Sequence, residues 1–336
     1  MSRSLHLACV LASLLTSVSQ AAVAAKTNVL FICIDDMRPQ TAAYGQKHML
    51  TPNLDKIASE GRLFRRHYVQ VPTCGPSRAS MLTGRTPRSG DEINHHALSK
   101  KLAGTTEPEQ PETLVHHFRQ HGYHTVGMGK ISHSENGYRY DKETKTGGPE
   151  LPHSWSEFVK LEMPEWKGSL LHGFVSGKDR KKGGVAPFES AEVEDIAYPD
   201  GMLAELAKTK LTELSEHQQP FFMAVGFYKP HLPFTAPRKY WDLYDRSELP
   251  LSTNPELPAA VDAEFLHNSN EFRSYRDQPE QAAAGTPLSD DYARQIIHAH
   301  CAAVSFVDAQ VGKVLDHLRE TGLDKNTIVV LWGDHG

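Results

Sequence analysis

Three apolar runs of strand length stand out along the chain. Asn28–Ile34 reads Asn-Val-Leu-Phe-Ile-Cys-Ile, Phe221–Phe227 reads Phe-Phe-Met-Ala-Val-Gly-Phe, and 327–332 reads Thr-Ile-Val-Val-Leu-Trp. None alternates with polar residues, so each predicts a strand covered on both faces, as in a parallel sheet. A shorter strand is predicted at 124–126. Between these runs the apolar spacing turns helical. Thr51-Pro52 opens a helix through about Glu60, with Gly61 as its stop. Residues 112–120 give a short helix closed by Gly122, and Pro199–Ser215 gives one leading into the 221–227 strand. A long helix is predicted over Asp290–Glu320 and ends at Gly322. Its Tyr292, Ile296, Ala303, Val307, Val311, Val314 and Leu318 share a face at near-3.6 spacing. Residues 135–190, rich in Gly, Pro and charge, read as an elaborated loop region, and 237–287 as mostly irregular. Strands separated by helices predict an α/β fold with a largely parallel sheet sandwiched by helices.

Polar residues cluster where these strands end. In open α/β sheets, ligands bind at the carboxyl edge. Asp35-Asp36 follows the first strand at once, and Gly333-Asp334-His335-Gly336 follows the last. Alone, Asp35-Asp36 reads as a solvated turn. Together, the two strand ends can converge on one metal ion; oxygen-rich ligation suits calcium, while a His ligand leaves room for a softer metal. Lys130 and His133 follow the 124–126 strand, and Lys229-Pro230-His231 follows the 221–227 strand. Lys offers a point charge to anionic oxygens, and His titrates near neutral pH. The chain has 19 histidines, so most must be packing or surface residues; His95, His96, His116, His117 and His121 have no comparable context.

Cys74 alone would read as a buried structural thiol. It stands in Cys74-Gly75-Pro76-Ser77-Arg78, followed by Ala79-Ser80-Met81-Leu82-Thr83-Gly84-Arg85. Pro76 and Ser77 suit the first turn of a helix, whose N-terminus would favour an anion beside residue 74. This stretch resembles the type I sulfatase signature. The resemblance implies that Cys74 is oxidised by a formylglycine-generating enzyme to Cα-formylglycine, whose hydrated aldehyde is the nucleophile. It implies one Ca2+ held by Asp35, Asp36, residue 74 as formylglycine, Asp334 and His335. It implies that Lys130 and His133, in Gly129-Lys130-Ile131-Ser132-His133, contact the sulfate and the nucleophile. His231, in Lys229-Pro230-His231-Leu232-Pro233, is the implied proton donor, and Arg78 stabilises the nucleophile's anionic form. His335, where many sulfatases have Asn, is similar to the iduronate-2-sulfatase-like branch.

The chemistry agrees with these assignments. A sulfate ester repels nucleophiles with its own charge, so a catalyst must neutralise that charge, supply an activated oxygen and protonate the leaving alcohol. The implied fold is the alkaline phosphatase-like sulfatase fold, and the implied reaction is hydrolysis of sulfate esters on sulfated sugars or glycosaminoglycan fragments. A phosphoric or phosphonate ester hydrolase on the same fold and a truncated, non-catalytic paralogue are the competing readings. The resemblance spans roughly residues 26–336. Sulfatases continue beyond Asp-His-Gly with a further site Lys, more sheet and a small antiparallel subdomain. The expected organisation is therefore a signal peptide over 1–24 and, over 25–336, the truncated N-terminal portion of a sulfatase catalytic domain.

Composition changes this picture little. The chain has 336 residues, 39% hydrophobic and 23% charged, with net charge −5, which is ordinary globular material. That balance implies no nucleic-acid-binding surface. Lys178-Asp179-Arg180-Lys181-Lys182 is the one basic run, a solvated loop that could meet an anionic sugar. At the N-terminus, Arg3, the apolar stretch 5–18 and Ala22-Val23-Ala24 predict a cleaved signal peptide. Export to the periplasm or medium follows (the lysosome in a eukaryote), with no membrane span after cleavage. Cys33 and Cys301 read as buried thiols, their pairing left open by sequence.

Overall fold

A computed structural model describes residues 26–336, except 97, 99–100, 103–105, 141–146, 164–165, 167–168, 256–258, 261, 263–268 and 279–286. The predicted signal peptide lies outside the described residues. Five strands form the central sheet: β1 (Asn28–Ile34), β2 (His124–Gly129), β3 (Glu157–Val159), β4 (Phe221–Phe227) and β5 (Thr327–Gly333). Their order is β3-β2-β4-β1-β5, and every neighbouring pair is parallel. Helices α1 (Pro52–Glu60), α2 (Cys74–Thr83), α3 (Leu114–Gln120), α4 (Pro199–Ser215) and α5 (Asp290–Glu320) cover it. β1 shows why the apolar runs do not alternate. Leu30, Ile32 and Ile34 pack toward α4 and α5, while Val29, Phe31 and Cys33 pack toward α2 and α3. Both faces are buried, so both sets must be apolar.

The predicted loop region 135–190 contains an antiparallel pairing of Tyr138–Tyr140 with Gly147–Pro149, and its Phe188–Ala191 pairs in parallel with Phe234–Pro237. β2 runs to Gly129, beyond the predicted 124–126. Gly127 continues the strand beneath Phe158, where a Cβ would come within 2.7 Å of the ring. β5 departs from the expectation of burial on both faces. It pairs with β1 alone among the described strands, and Ile328 and Val330 are 55% and 37% exposed. α5 also departs from a single apolar stripe. Val307, Val311, Val314 and Leu318 meet the sheet, but Ala299, Ala302 and Phe306 pack on Tyr198, Tyr240 and Trp241. Ile296 is only half-buried. The reason is length: 31 residues of helix extend about 46 Å, whereas a seven-residue strand extends about 23 Å. Cys33 and Cys301 are free thiols in different clusters. No helix among the described residues is long and apolar enough to cross a membrane.

Asp195 ties the turn before α4 to α5. Its Oδ2 accepts from Tyr240 Oη at 2.9 Å, Gln310 Nε2 at 3.1 Å and Lys313 Nζ at 2.7 Å, and Lys239 Nζ lies 2.8 Å from Oδ1. Burial would raise this carboxyl, but Lys239, Lys313 and Gln310 outweigh it and pull the pKa to about 2. Asp195→Ala should cost about 1.5–3 kcal/mol, the value of hydrogen bonds to a charged group, read by urea denaturation. The folded pKa lies below the unfolded one. The stabilisation is therefore complete above about pH 4 and lost as pH falls toward about 2. The gap between wild type and variant should close over that window.

Candidate active site

The sheet register brings the predicted residues to one level. Ile34 aligns with Phe227 and with Gly333, and Gly129 with Gly226. Asp35, Lys130 and Asp334 therefore leave their strands side by side at the carboxyl edge. Gly129, at φ 71°, turns the chain so that Lys130 points in; a Cβ there would collide with the Gly226 carbonyl. α2 begins at Cys74 itself, after extended Thr73, and ends at left-handed Gly84. Ser77 Oγ donates to the Asp334 carbonyl and fixes the helix start against the end of β5.

Arg78 is the fully buried hub. Its Nη2 donates to Asp35 Oδ1 at 2.9 Å, and its Nε to Asp334 Oδ2 at 2.8 Å. Nη1 donates to the carbonyls of Lys130 and Ile131. Lys130 Nζ donates to the other Asp35 oxygen. Asp334 Oδ1 accepts the backbone N–H groups of Asp36 and His335, each at 2.9 Å, and this holds Asp36 at its left-handed φ of 56°. Burial would raise the Asp35 carboxyl, but Lys130 and then Arg78 hold it well below the usual range. Asp334 goes the other way, because its burial outweighs Arg78. Burial and Asp35 push the Cys74 thiol up.

Cys74 Sγ lies 3.0 Å from His335 Nε2 and 3.9 Å from Asp36 Oδ1, and His335 Nε2 lies 3.0 Å from that same oxygen. Ligand atoms of Asp35, Asp36, Cys74 and His231 lie within 4.8 Å of one another, as do those of Cys74, Asp334 and His335. A cation with bonds of about 2.4 Å sets neighbouring donors about 3.4 Å apart, and each of these two groups, which share Cys74, is spaced within reach of such an ion. The sulfur is the ill-suited donor for calcium; an oxygen at residue 74 would complete an oxygen-rich set.

His231 reaches the cluster from the loop after β4. Its Nδ1 meets the Leu232 carbonyl at 2.6 Å, and its Nε2 stands 3.8 Å from Asp36 Oδ2 and 3.5 Å from Glu271 Oε2. The loop is held from within. Buried Lys229 Nζ donates to the carbonyls of Leu171, His231 and Pro233, and Asp200 accepts the backbone N–H groups of Tyr228 and Lys229. His133 stacks on His95 at 4.3 Å, forms no hydrogen bond or ion pair with Cys74 or the three aspartates among the described residues, and burial and Lys130 lower its pKa to about 3. His95, without context in the sequence, packs its backbone against Gly75, where a Cβ would collide with the His95 Cα. Glu271 and His172, which line the His231 side, carry no motif at all.

Solved structures of the alkaline phosphatase-like fold share this architecture. Phosphonate monoester hydrolase of Agrobacterium radiobacter shares it with a TM-score of 0.62 at 21% identity, over 93% of this chain and 63% of that one. The sulfatase family model matches residues 27–336, and the chain belongs to that family. It is 28% identical over 323 residues to iduronate 2-sulfatase of Mus musculus, covering 92% of this chain and 54% of the relative. It is 31% identical over 332 residues to a sulfatase of Formosa agariphila, covering 93% and 59%. The chain thus spans little more than half the length of these relatives.

Proposed function

We propose that this site hydrolyses sulfate esters of sulfated sugars or glycosaminoglycan fragments, with residue 74 acting as Cα-formylglycine beside one Ca2+. The observation that carries the reading is the position of Cys74. The cysteine of a modification motif is the first residue of α2 and stands 3.0 Å from His335 and 3.9 Å from Asp36, beside the ring of aspartates. Asp35, Asp36, residue 74, Asp334 and His335 would hold the ion, which neutralises sulfate charge and acidifies a bound hydroxyl. The hydrated aldehyde supplies the attacking oxygen and a second hydroxyl that allows release.

The remaining roles belong to the chain's own side chains. Arg78 keeps Asp35 and Asp334 fixed and charge-balanced from beneath. Lys130 brings positive charge to the same edge, and the N-terminus of α2 favours an anion. The Leu232 carbonyl on Nδ1 turns His231 Nε2 toward Asp36 and Glu271, where it can protonate the leaving oxygen. On the same side, Lys178, Lys181 and Lys182 are exposed and Arg180 pairs with Glu271 at 2.7 Å, which gives the rim a cationic character suited to acidic sugars. Maturation by a formylglycine-generating enzyme and export through residues 1–24 belong to the same reading.

His231→Ala should slow hydrolysis of alkyl or sugar sulfates about 10²–10⁴-fold and activated aryl sulfates far less, since these need little proton donation. Equal losses on both would mean that His231 binds or packs instead. The reading as a whole is tested by sulfate release from sulfated disaccharides, measured by ion chromatography before and after chelation with EGTA. Release that stops on chelation and returns with Ca2+ supports it. Hydrolysis of a phosphonate monoester alone would favour the phosphonate hydrolase reading.

A further inference from the structure

We propose that His172, His231 and Glu271 form a second cation site, suited to Zn2+, beside the aspartate cluster. The three come from separate places: the 135–190 region, the loop after β4 and the short helix Asn270–Ser274. His172 Nδ1 lies 3.4 Å from Glu271 Oε1, and His231 Nε2 lies 3.5 Å from Glu271 Oε2, with all three ligand atoms within 4.8 Å of one another. Tetrahedral zinc with bonds of about 2.0–2.1 Å separates its donors by about 3.4 Å. Each imidazole thus already stands at a zinc donor spacing from an oxygen of the Glu271 carboxylate.

The His231 ring is also oriented as a ligand is. Its Nδ1 meets the Leu232 carbonyl. A backbone partner on the far nitrogen is the usual way a ligating imidazole is aimed. It leaves His231 Nε2 toward Glu271, and His172 Nδ1 lies beside the same carboxylate. His172 Nδ1 is buried and has no hydrogen-bond partner, and burial, then His231, Arg180 and Lys229, keep that imidazole neutral to about pH 2. Two imidazoles and one carboxylate select a borderline ion over hard calcium. Arg180 and Lys229 oppose the cation, but Arg180 takes Glu271 Oε1 and leaves Oε2 open.

An ion here would occupy His231 Nε2, the nitrogen assigned to the leaving-group proton, so filling the site should inhibit hydrolysis. That consequence rests on the sulfatase reading; the binding itself does not. The test is Co2+ added to the full chain in excess Ca2+, followed by visible absorption. Wild type should take up one Co2+ with the intense bands of four-coordination, and Zn2+ should displace it. His172→Ala and Glu271→Gln should each lose the bands. Arg180→Ala should bind more tightly, because an opposing charge is gone and Oε1 is freed; a purely structural role for these residues would not give that gain. Glu271 is partly exposed, so its variant serves even if His172→Ala fails to fold. An unchanged spectrum in Glu271→Gln would place the ion among the aspartates and overturn the proposal. So would a cooperatively melting wild type that takes up no Co2+. Neither outcome depends on catalytic activity, so failure here and failure of the sulfatase reading are separable.

Discussion

Cys74→Ala should reduce sulfate ester hydrolysis to background, a loss on the order of 10⁴–10⁶-fold, as when an essential nucleophile is removed. Folding should barely change. The side chain is small, and its hydrogen-bond contacts run only to the site side chains His335 and Asp36 among the described residues, at 3.0 and 3.9 Å. Unchanged melting with lost turnover would locate the defect in chemistry. Cys74→Ser separates two parts of the role. It restores one hydroxyl without the second that a hydrated aldehyde provides, so it should release product at most once per chain. Sustained turnover by either variant, measured as sulfate released per mole of protein, would remove residue 74 from the reaction.

Arg78→Ala should be the most damaging substitution for the fold around the site. It strips Asp35 and Asp334 of a shared, fully buried partner and leaves the carbonyls of Lys130 and Ile131 without its donor. Breaking a buried pair on one side costs about 3–5 kcal/mol. Arg78→Lys should recover little, because one ammonium cannot reach two carboxylates and two carbonyls from one position. Chemical denaturation checks both. Added Ca2+ should return part of the loss by replacing positive charge between the aspartates. A penalty below about 1 kcal/mol, the scale of an exposed ion pair, would mean that the hub is not what holds these strand ends together.

How much of the molecule was legible in the chain depended on whether the signal was local. β1 and β4 announced themselves because a strand buried on both faces must be apolar throughout. The helix at Cys74 followed from Pro76 and Ser77. Convergence of Asp35 with Asp334 was expected from two strands ending in acids, and the register of Ile34 with Gly333 supplies it. The strand order was not legible, because nothing local says that β4 lies between β2 and β1. The predicted strand stopped at 126, short of Gly127 and Gly129; only packing under Phe158 and the approach to Gly226 explain why β2 runs through them. Exposure of Ile328 and Val330 was missed because an apolar run looks the same at an edge as in the middle. Glu271 and His172 were invisible for a different reason. They lie in segments without periodicity or motif, and tertiary folding alone brings them to His231. His95 meets Gly75 through its backbone and accepts the Gly75 N–H on Nδ1 at 3.4 Å, contacts that only tertiary folding creates.

The central claim is that residue 74 acts as formylglycine, and peptide mass spectrometry tests it most directly. The chain should be produced with formylglycine-generating activity, digested with trypsin, and the peptide 67–78 measured with and without an aldehyde-reactive hydrazide. The expected result is an aldehyde or its hydrate in place of the thiol, and a hydrazone after labelling. A peptide that still carries the free Cys74 thiol, from a preparation that hydrolyses sulfate esters, would contradict it.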